Sequence, residues 1–262
     1  SLLVGWLANI KEHARRQQAV AERLERVSAF VEYDYQVDET GALTYREAPG
    51  PGWLQRLLGE NCFASVVSVW FAPCATAKND DLEALQRLPH LRILELRNTR
   101  VDDAGLEHLR GLTQLQFLNL SNLPITDRGL VHLGSLQNLK WLALDNSLVS
   151  DRGLESLTRL KSLEGMSLAG TRVSDAGLVH LKAFPNLSYV FLSDTTVSDA
   201  GLDHLKTLAG LRYLWLYRTC VSRRGVRDLE RSLPECAVYH NLDQATKTDR
   251  YDTTAHGKTV TP

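Results

Sequence analysis

The chain has no surplus of charge of either sign. Its 262 residues carry 30 Lys and Arg against 31 Asp and Glu, a formal net charge of −1. A nucleic-acid-binding chain would show a basic excess or a basic stripe, so no nucleic-acid partner is expected. No stretch approaches the roughly 20 consecutive apolar residues that a spanning helix needs. Cysteines are few (Cys62, Cys74, Cys220 and Cys236) and none has C-x-x-C spacing, which argues against a disulfide framework and against a zinc site. There is no phosphate loop and no Gly-rich nucleotide fingerprint. No cofactor and no enzyme activity are expected.

What the chain does have is repetition. VSDAGLDHL at 197–205 returns as VSDAGLVHL at 173–181, VSDRGLESL at 149–157, ITDRGLVHL at 125–133 and VDDAGLEHL at 101–109. It decays to VSRRGVRDL at 221–229. The period is 24 residues, with no insertion or deletion. A fixed period of this length means a solenoid, in which each unit buries its apolar face only against its neighbours. Aligned copies read L-x-x-L-x-L-x-x-T-x-V-x-D-x-G-L-x-x-L-x-x-L and begin at Leu91, Leu115, Leu139, Leu163, Leu187 and Leu211. A weaker copy is expected from Val67, with Trp70, Ala72, Leu82, Leu85 and Leu88 in the apolar register.

This pattern resembles the leucine-rich repeat family, and its V-[ST]-D-x-G-L phrase is similar to the subtype of F-box-associated and bacterial multi-repeat members. The resemblance covers 67–234. It implies an α/β horseshoe with a concave parallel sheet, short helices on the convex side, and binding of a protein partner by the concave surface.

Around the repeats, residues 1–29 read as a helix, with Leu3, Leu7, Ile10, Ala14, Ala21 and Leu24 near a 3-4 spacing. Gln17 interrupts the seam, which favours a helix packed on the next part of the chain over a coiled coil. The opening SLLVGWLANI, followed by Lys11, Arg15 and Arg16, suits either the end of a membrane anchor or signal segment begun before Ser1, or an ordinary amphipathic helix. A membrane-associated location is favoured, with a cytoplasmic one as the alternative. Residues 30–66 read as a cap: a β-hairpin in which Val31, Tyr33, Tyr35 and Val37 alternate with polar residues about a turn at Glu39-Thr40-Gly41, then a short helix at 53–59. Residues 67–240 are the repeats plus a closing strand at 236–240. Residues 241–262 are polar and Thr-rich, as expected of a disordered tail.

Within each repeat, period-2 geometry buries positions 4 and 6, from Leu94 and Leu96 through to Leu214 and Leu216. Truncating one to Ala should cost about 2–5 kcal/mol. The Ser or Thr before Asp can cap the short helix. The Gly at position 15 is expected where neighbouring coils approach closely. Thr99, Ser147, Thr171, Thr195 and Thr219 at position 9 are expected to bond turn backbone.

Positions 3, 5 and 7 then face the open side. They grow aromatic toward the C-terminal end, and exposed aromatic patches mark interaction sites. The expected partner-binding surface is a groove over Gly165, Ser167 and Ala169. Phe117 and Trp141 lie on one side of it, and Tyr189, Phe191, Tyr213, Trp215 and Tyr217 on the other. The competing reading is that the tail or the cap folds onto these aromatics, or that they stack on each other. His108, His132, His180 and His204 share one convex position, but side chains on successive coils run parallel and do not converge on an ion, and Ser156 breaks the series. Ser174-Asp175 with His180 is tiled like everything else, so the fold explains it. The expectation is a monomeric, non-catalytic, protein-binding scaffold of bacterial type. The alternatives are the substrate-recognition subunit of a ubiquitin ligase, for which a three-helix adaptor-binding unit would precede the repeats, and a structural envelope spacer.

Overall fold

A computed structural model describes residues 2–37, 44, 46–52, 55–56, 61–72 and 76–242. Helix α1 (Leu2–Glu25) buries Ala14, Val20, Ala21 and Leu24, the 3-4 stripe that its spacing dictates. Gln17 sits in that stripe, almost fully buried, because its Oε1 accepts the Val66 N–H at 3.0 Å. The polar break in the seam is thus a fixing point for strand Val66–Phe71. No helix among the described residues is long and apolar enough to cross a membrane.

Among the described residues nine strands form one sheet in chain order: β1 (Ala29–Tyr33), β2 (Val66–Phe71), β3 (Ile93–Glu95), β4 (Phe117–Asn119), β5 (Trp141–Ala143), β6 (Gly165–Ser167), β7 (Tyr189–Phe191), β8 (Tyr213–Trp215) and β9 (Ala237–Tyr239). β2 to β9 are parallel, and Leu94, Leu118, Leu142, Met166, Val190, Leu214 and Val238 lie side by side. All but the last, half-buried Val238 are fully buried. A coil of this length has room for only one or two helical turns, so the helical side is built of short segments. They run from Asn79–Leu82 through Asp127–Leu130 and Asp151–Ser156 to Asp199–Leu205 and the longer Arg223–Ser232, with 3-10 turns between.

One expectation is corrected at the N-terminal end, and the return strand of the hairpin expected over 30–47 falls largely outside the described residues. β1 runs antiparallel to β2, Phe30 opposite Trp70 and Glu32 opposite Ser68. An open edge on the first parallel strand would leave a row of main-chain groups unsatisfied, and β1 closes it while burying Ala29 and Tyr33. The chain does return beside Gln36, whose carbonyl accepts the Thr44 N–H at 2.6 Å; the turn at 39–41 lies outside the described residues. The corrected expectation is the register of the first coil, which is shifted by one. Ser68 pairs with Ile93, so Val69 and Phe71 occupy the core positions and Trp70 faces the open side. The extra residue falls between strand and helix, and Leu82, Leu85 and Leu88 keep their buried places. The apolar residues of the helix expected at 53–59, and the tail from residue 243 onward, lie outside the described residues.

The recurring phrase inside each coil is a device for joining coils. Asp103, Asp127, Asp151, Asp175 and Asp199 each accept the N–H of the Ser or Thr one coil later at 2.7–2.8 Å, and its hydroxyl as well. The Gly of that later coil makes room: a Cβ on Gly129, Gly153, Gly177, Gly201 or Gly225 would stand 2.1–2.6 Å from the same carboxylate oxygen. The last coil has Arg223 in place of Asp. No further coil waits to be joined there among the described residues, and Arg223 donates instead to the Leu242 carbonyl at 2.7 Å. Position 9 behaves as expected at its four threonines, where the hydroxyls of Thr99, Thr171, Thr195 and Thr219 donate to the carbonyl three residues earlier at 2.6–2.9 Å, but not at Ser147, whose buried hydroxyl has no hydrogen-bond partner among the described residues. Position 8 holds a feature the repeat alignment passes over. Asn98, Asn122, Asn146, Gly170, Asp194 and Arg218 all adopt positive φ, between 54° and 67°. Asn is among the residues that tolerate this region. Neighbouring Asn side chains also bond in series, Asn122 to Asn98 and Asn146 to Asn122, each at 2.8 Å.

Candidate binding face

The side of the sheet away from the helices carries no other element among the described residues. Alternation puts three rows of side chains on it. Cross-strand pairing runs the first row through Glu32, Ser68, Ile93, Phe117, Trp141, Gly165, Tyr189, Tyr213 and Ala237. The second runs through Phe30, Trp70, Glu95, Asn119, Ala143, Ser167, Phe191, Trp215 and Tyr239. The third, just beyond the strands, includes Arg97, Ser121, Asp145, Ala169, Ser193 and Tyr217.

Neighbouring parallel strands stand about 4.8 Å apart, close to the spacing of stacked rings. The aromatic residues use that match. Tyr189 stacks on Tyr213 with centroids 4.9 Å apart and planes 7° from parallel. Phe191 stacks on Trp215 at 3.8 Å and 4°, and Trp215 on Tyr239 at 5.0 Å and 11°. Rings stacked along the strand-to-strand direction must stand upright on the sheet, with flat faces against each other and edges toward solvent. Trp141 is different. It meets Tyr189 and Phe191 at 52° and 66° and leans across β6, where a Cβ on Gly165 would stand 2.2 Å from its ring carbons.

The expected groove over Gly165 is therefore absent. Trp141 covers Gly165, which is buried, and the aromatic surface is one ridge from β5 to β9. The physical reason is that Gly165, with no side chain, leaves a gap beside Trp141 large enough to receive an indole. Ser167 is almost fully buried and Ala169 half-buried, so they form a low step beside the ridge. Phe117 is half-buried one strand before Trp141. Tyr217 is half-buried on the same face but outside the stack. Three aromatic residues of the face escaped the reading of the sequence. Tyr239 ends the ridge at 38% exposure; its signal was the alternation in Ala237-Val238-Tyr239. Phe30, 66% exposed, and Trp70 lie opposite each other at the far end, concealed by the one-residue shift.

The middle of the face is polar and internally bonded. Glu95 accepts the Arg97 N–H at 3.1 Å and the Asn119 amide at 2.9 Å. Asn119 accepts the Ser121 N–H at 2.9 Å. Asp145 accepts the Ala169 N–H at 2.9 Å, the Ser167 hydroxyl, and the Ser121 hydroxyl at 3.3 Å. Burial pushes the Glu95 carboxyl above the usual glutamate range, against the opposing pull of the Arg97 N–H, the Arg97 charge and Asn119. At the first end of the face, the Trp70 indole N–H donates to Glu32 at 3.0 Å. Among the described residues no group of three or more His, Cys, Asp and Glu side chains converges as metal ligands would.

No protein-family model and no curated protein sequence matches this chain. Among solved structures, internalin C2 of Listeria monocytogenes is similar, with a TM-score of 0.55 and 23% identity over 66% of this chain and 70% of that one. The fold is a leucine-rich repeat solenoid. The likeness to internalin carries the architecture, and the coil-joining bonds described above carry it independently. Within that solenoid, the aromatic ridge occupies the open face of the last five strands, and the helical side is occupied by the segments that close the core.

Proposed function

We propose that this solenoid is a non-catalytic scaffold that binds another protein through the open face of its sheet. One observation carries the reading: a rigid ridge of aromatic edges, Trp141, Tyr189, Phe191, Tyr213, Trp215 and Tyr239, stands on a face that no other described element covers. Tyr and Trp are enriched among residues that dominate binding energy. Because the rings are held by stacking on regular strands, the surface is largely preformed and loses little freedom on binding. The ubiquitin-ligase alternative called for a three-helix unit ahead of the repeats; the described residues there include one long helix laid against the first coil and one strand paired to it. The test is affinity capture from the source cell, with Tyr213→Ala/Trp215→Ala/Tyr239→Ala as the comparison and unchanged circular dichroism as the control. A partner bound by the native chain and lost by the variant supports the reading. A partner retained by both moves the site to the helical side or to the N-terminal region, and no partner at all favours a structural spacer.

A further inference from the structure

We propose that the partner segment received by this face is a basic extended peptide that directs a Lys or Arg to Asp145. The inference rests on the reading that the open face is the docking surface, and adds the chemistry of what docks.

The charges on the three rows are unequal. Glu32, Glu95 and Asp145 face outward against Arg97 alone. None of the three carboxylates is in an ion pair among the described residues, whereas Glu164 is held by Lys140 at 3.3 Å, Asp203 by Lys206 at 2.5 Å, and Asp194 by Arg218. Asp145 is the best placed. Hydrogen bonds from Ser121, Ser167 and Ala169 fix its orientation, and none of those donors carries a charge. Its neighbours Ala143, Ser167, Ala169 and Ser193 are small, so the surface steps down beside the ridge. A long basic side chain can lie on that step with its cation at the Asp145 carboxylate. Glu95 lies two strands away and one row back, about 12 Å, which about four residues of extended chain span.

The rest of the face narrows the alternatives. The margin where the strands begin has the opposite sign, with Arg92 and Arg212 beside the Lys140–Glu164 pair. A basic group is therefore steered to the far margin, where Asp145 lies. The flat faces of Phe191 and Trp215 are spent on each other at 3.8 Å, which leaves them unable to sandwich a sugar or a nucleobase.

A phage-displayed library of random peptides selected on the intact chain tests this. Enriched peptides would be synthesised and their affinities measured on the native chain, on Glu95→Gln/Asp145→Asn and on Trp215→Ala. The amide variants keep an acceptor for the Arg97 and Ala169 N–H groups, and thermal melts check that they fold. The expected result is enrichment of Lys- or Arg-bearing sequences, binding that weakens with added salt, and a loss of at least about tenfold on the amide variant, the scale of a close interfacial charge pair. Neutral or acidic binders, no binders, or basic peptides indifferent to the amide changes would overturn the proposal. Peptides that ignore the amide changes but lose affinity with Trp215→Ala would sink this inference and leave the open-face reading standing. Peptides indifferent to both variants would end both.

Discussion

The Asp175 carboxylate holds Ser198 twice, through its N–H at 2.7 Å and its hydroxyl at 2.6 Å. The two residues belong to successive coils, so the bond is a seam between repeats. It recurs at four other seams of the solenoid. Hydrogen bonds to a charged acceptor contribute about 1.5–3 kcal/mol each. Asp175→Ala should therefore destabilise the chain by about 2–4 kcal/mol, and Asp175→Asn, which retains an acceptor, by less. Urea denaturation of both variants measures it; equal losses would assign the effect to packing.

The glycine that accommodates this seam should be intolerant. A Cβ on Gly201 would stand 2.3 Å from the Asp175 oxygen, while one on Gly134 meets nothing within 4 Å. Gly201→Ala should cost about 1–3 kcal/mol through overpacking. Gly134→Ala should be neutral or gain up to about 1 kcal/mol by restricting the unfolded chain. Thermal melts of the pair, run side by side, give the contrast; a tolerated Gly201→Ala would mean the coils can separate without loss.

On the open face, the ridge depends on Gly165. Gly165→Ala should lift Trp141 off β6, because the new methyl would stand 2.2 Å from its ring. The expected readout is a near-ultraviolet circular dichroism spectrum that moves toward that of Trp141→Leu, with the far-ultraviolet spectrum unchanged. An unaltered spectrum would show that the indole does not rest on Gly165.

Burial raises the Glu95 carboxyl in the folded chain. The folded state then holds that proton more tightly than the unfolded state. Its contribution to stability is complete below the unfolded value, about 4.3, and is lost as pH climbs through the folded one. Glu95→Gln removes this titration, so its stability relative to the native chain should rise with pH across that window. Denaturation midpoints measured through the acid range decide it, and a difference independent of pH would contradict the assignment.

Burial pushes the Cys236 thiol up to about 11, whereas Cys220 is exposed. The thiolate is the reactive form. Iodoacetamide at mildly alkaline pH should modify Cys220 well before Cys236, as read by peptide mapping. Comparable rates would indicate that the terminal coil opens readily.

Much of this molecule is set by local constraints that repeat. Leu94, Leu118 and Leu142 are buried because strand alternation and a fixed period place them so, and one coil suffices to say it for all. The seam of Asp175, Ser198 and Gly201 was visible as a recurring phrase, although its direction, from one coil to the next, was not, since a helix cap explains the same letters. What the repeat could not determine lies where equivalence between coils breaks down. β1 lies along β2 because only the assembled sheet has an edge to close. Trp70 turned outward because one extra residue is absorbed between strand and helix, which changes the face of every strand residue while leaving the helix in step. Trp141 filled the place of Gly165 because neighbours in space, 24 residues apart in sequence, differ in size, and a vacancy beside an indole is closed by the indole. The sequence by itself determined the solenoid and its buried ladder, because those depend on residues within one period and the copy beside it. Tertiary structure alone decided that the open face is a ridge and not a groove, because that depends on how unlike side chains from different coils pack once the strands have brought them together.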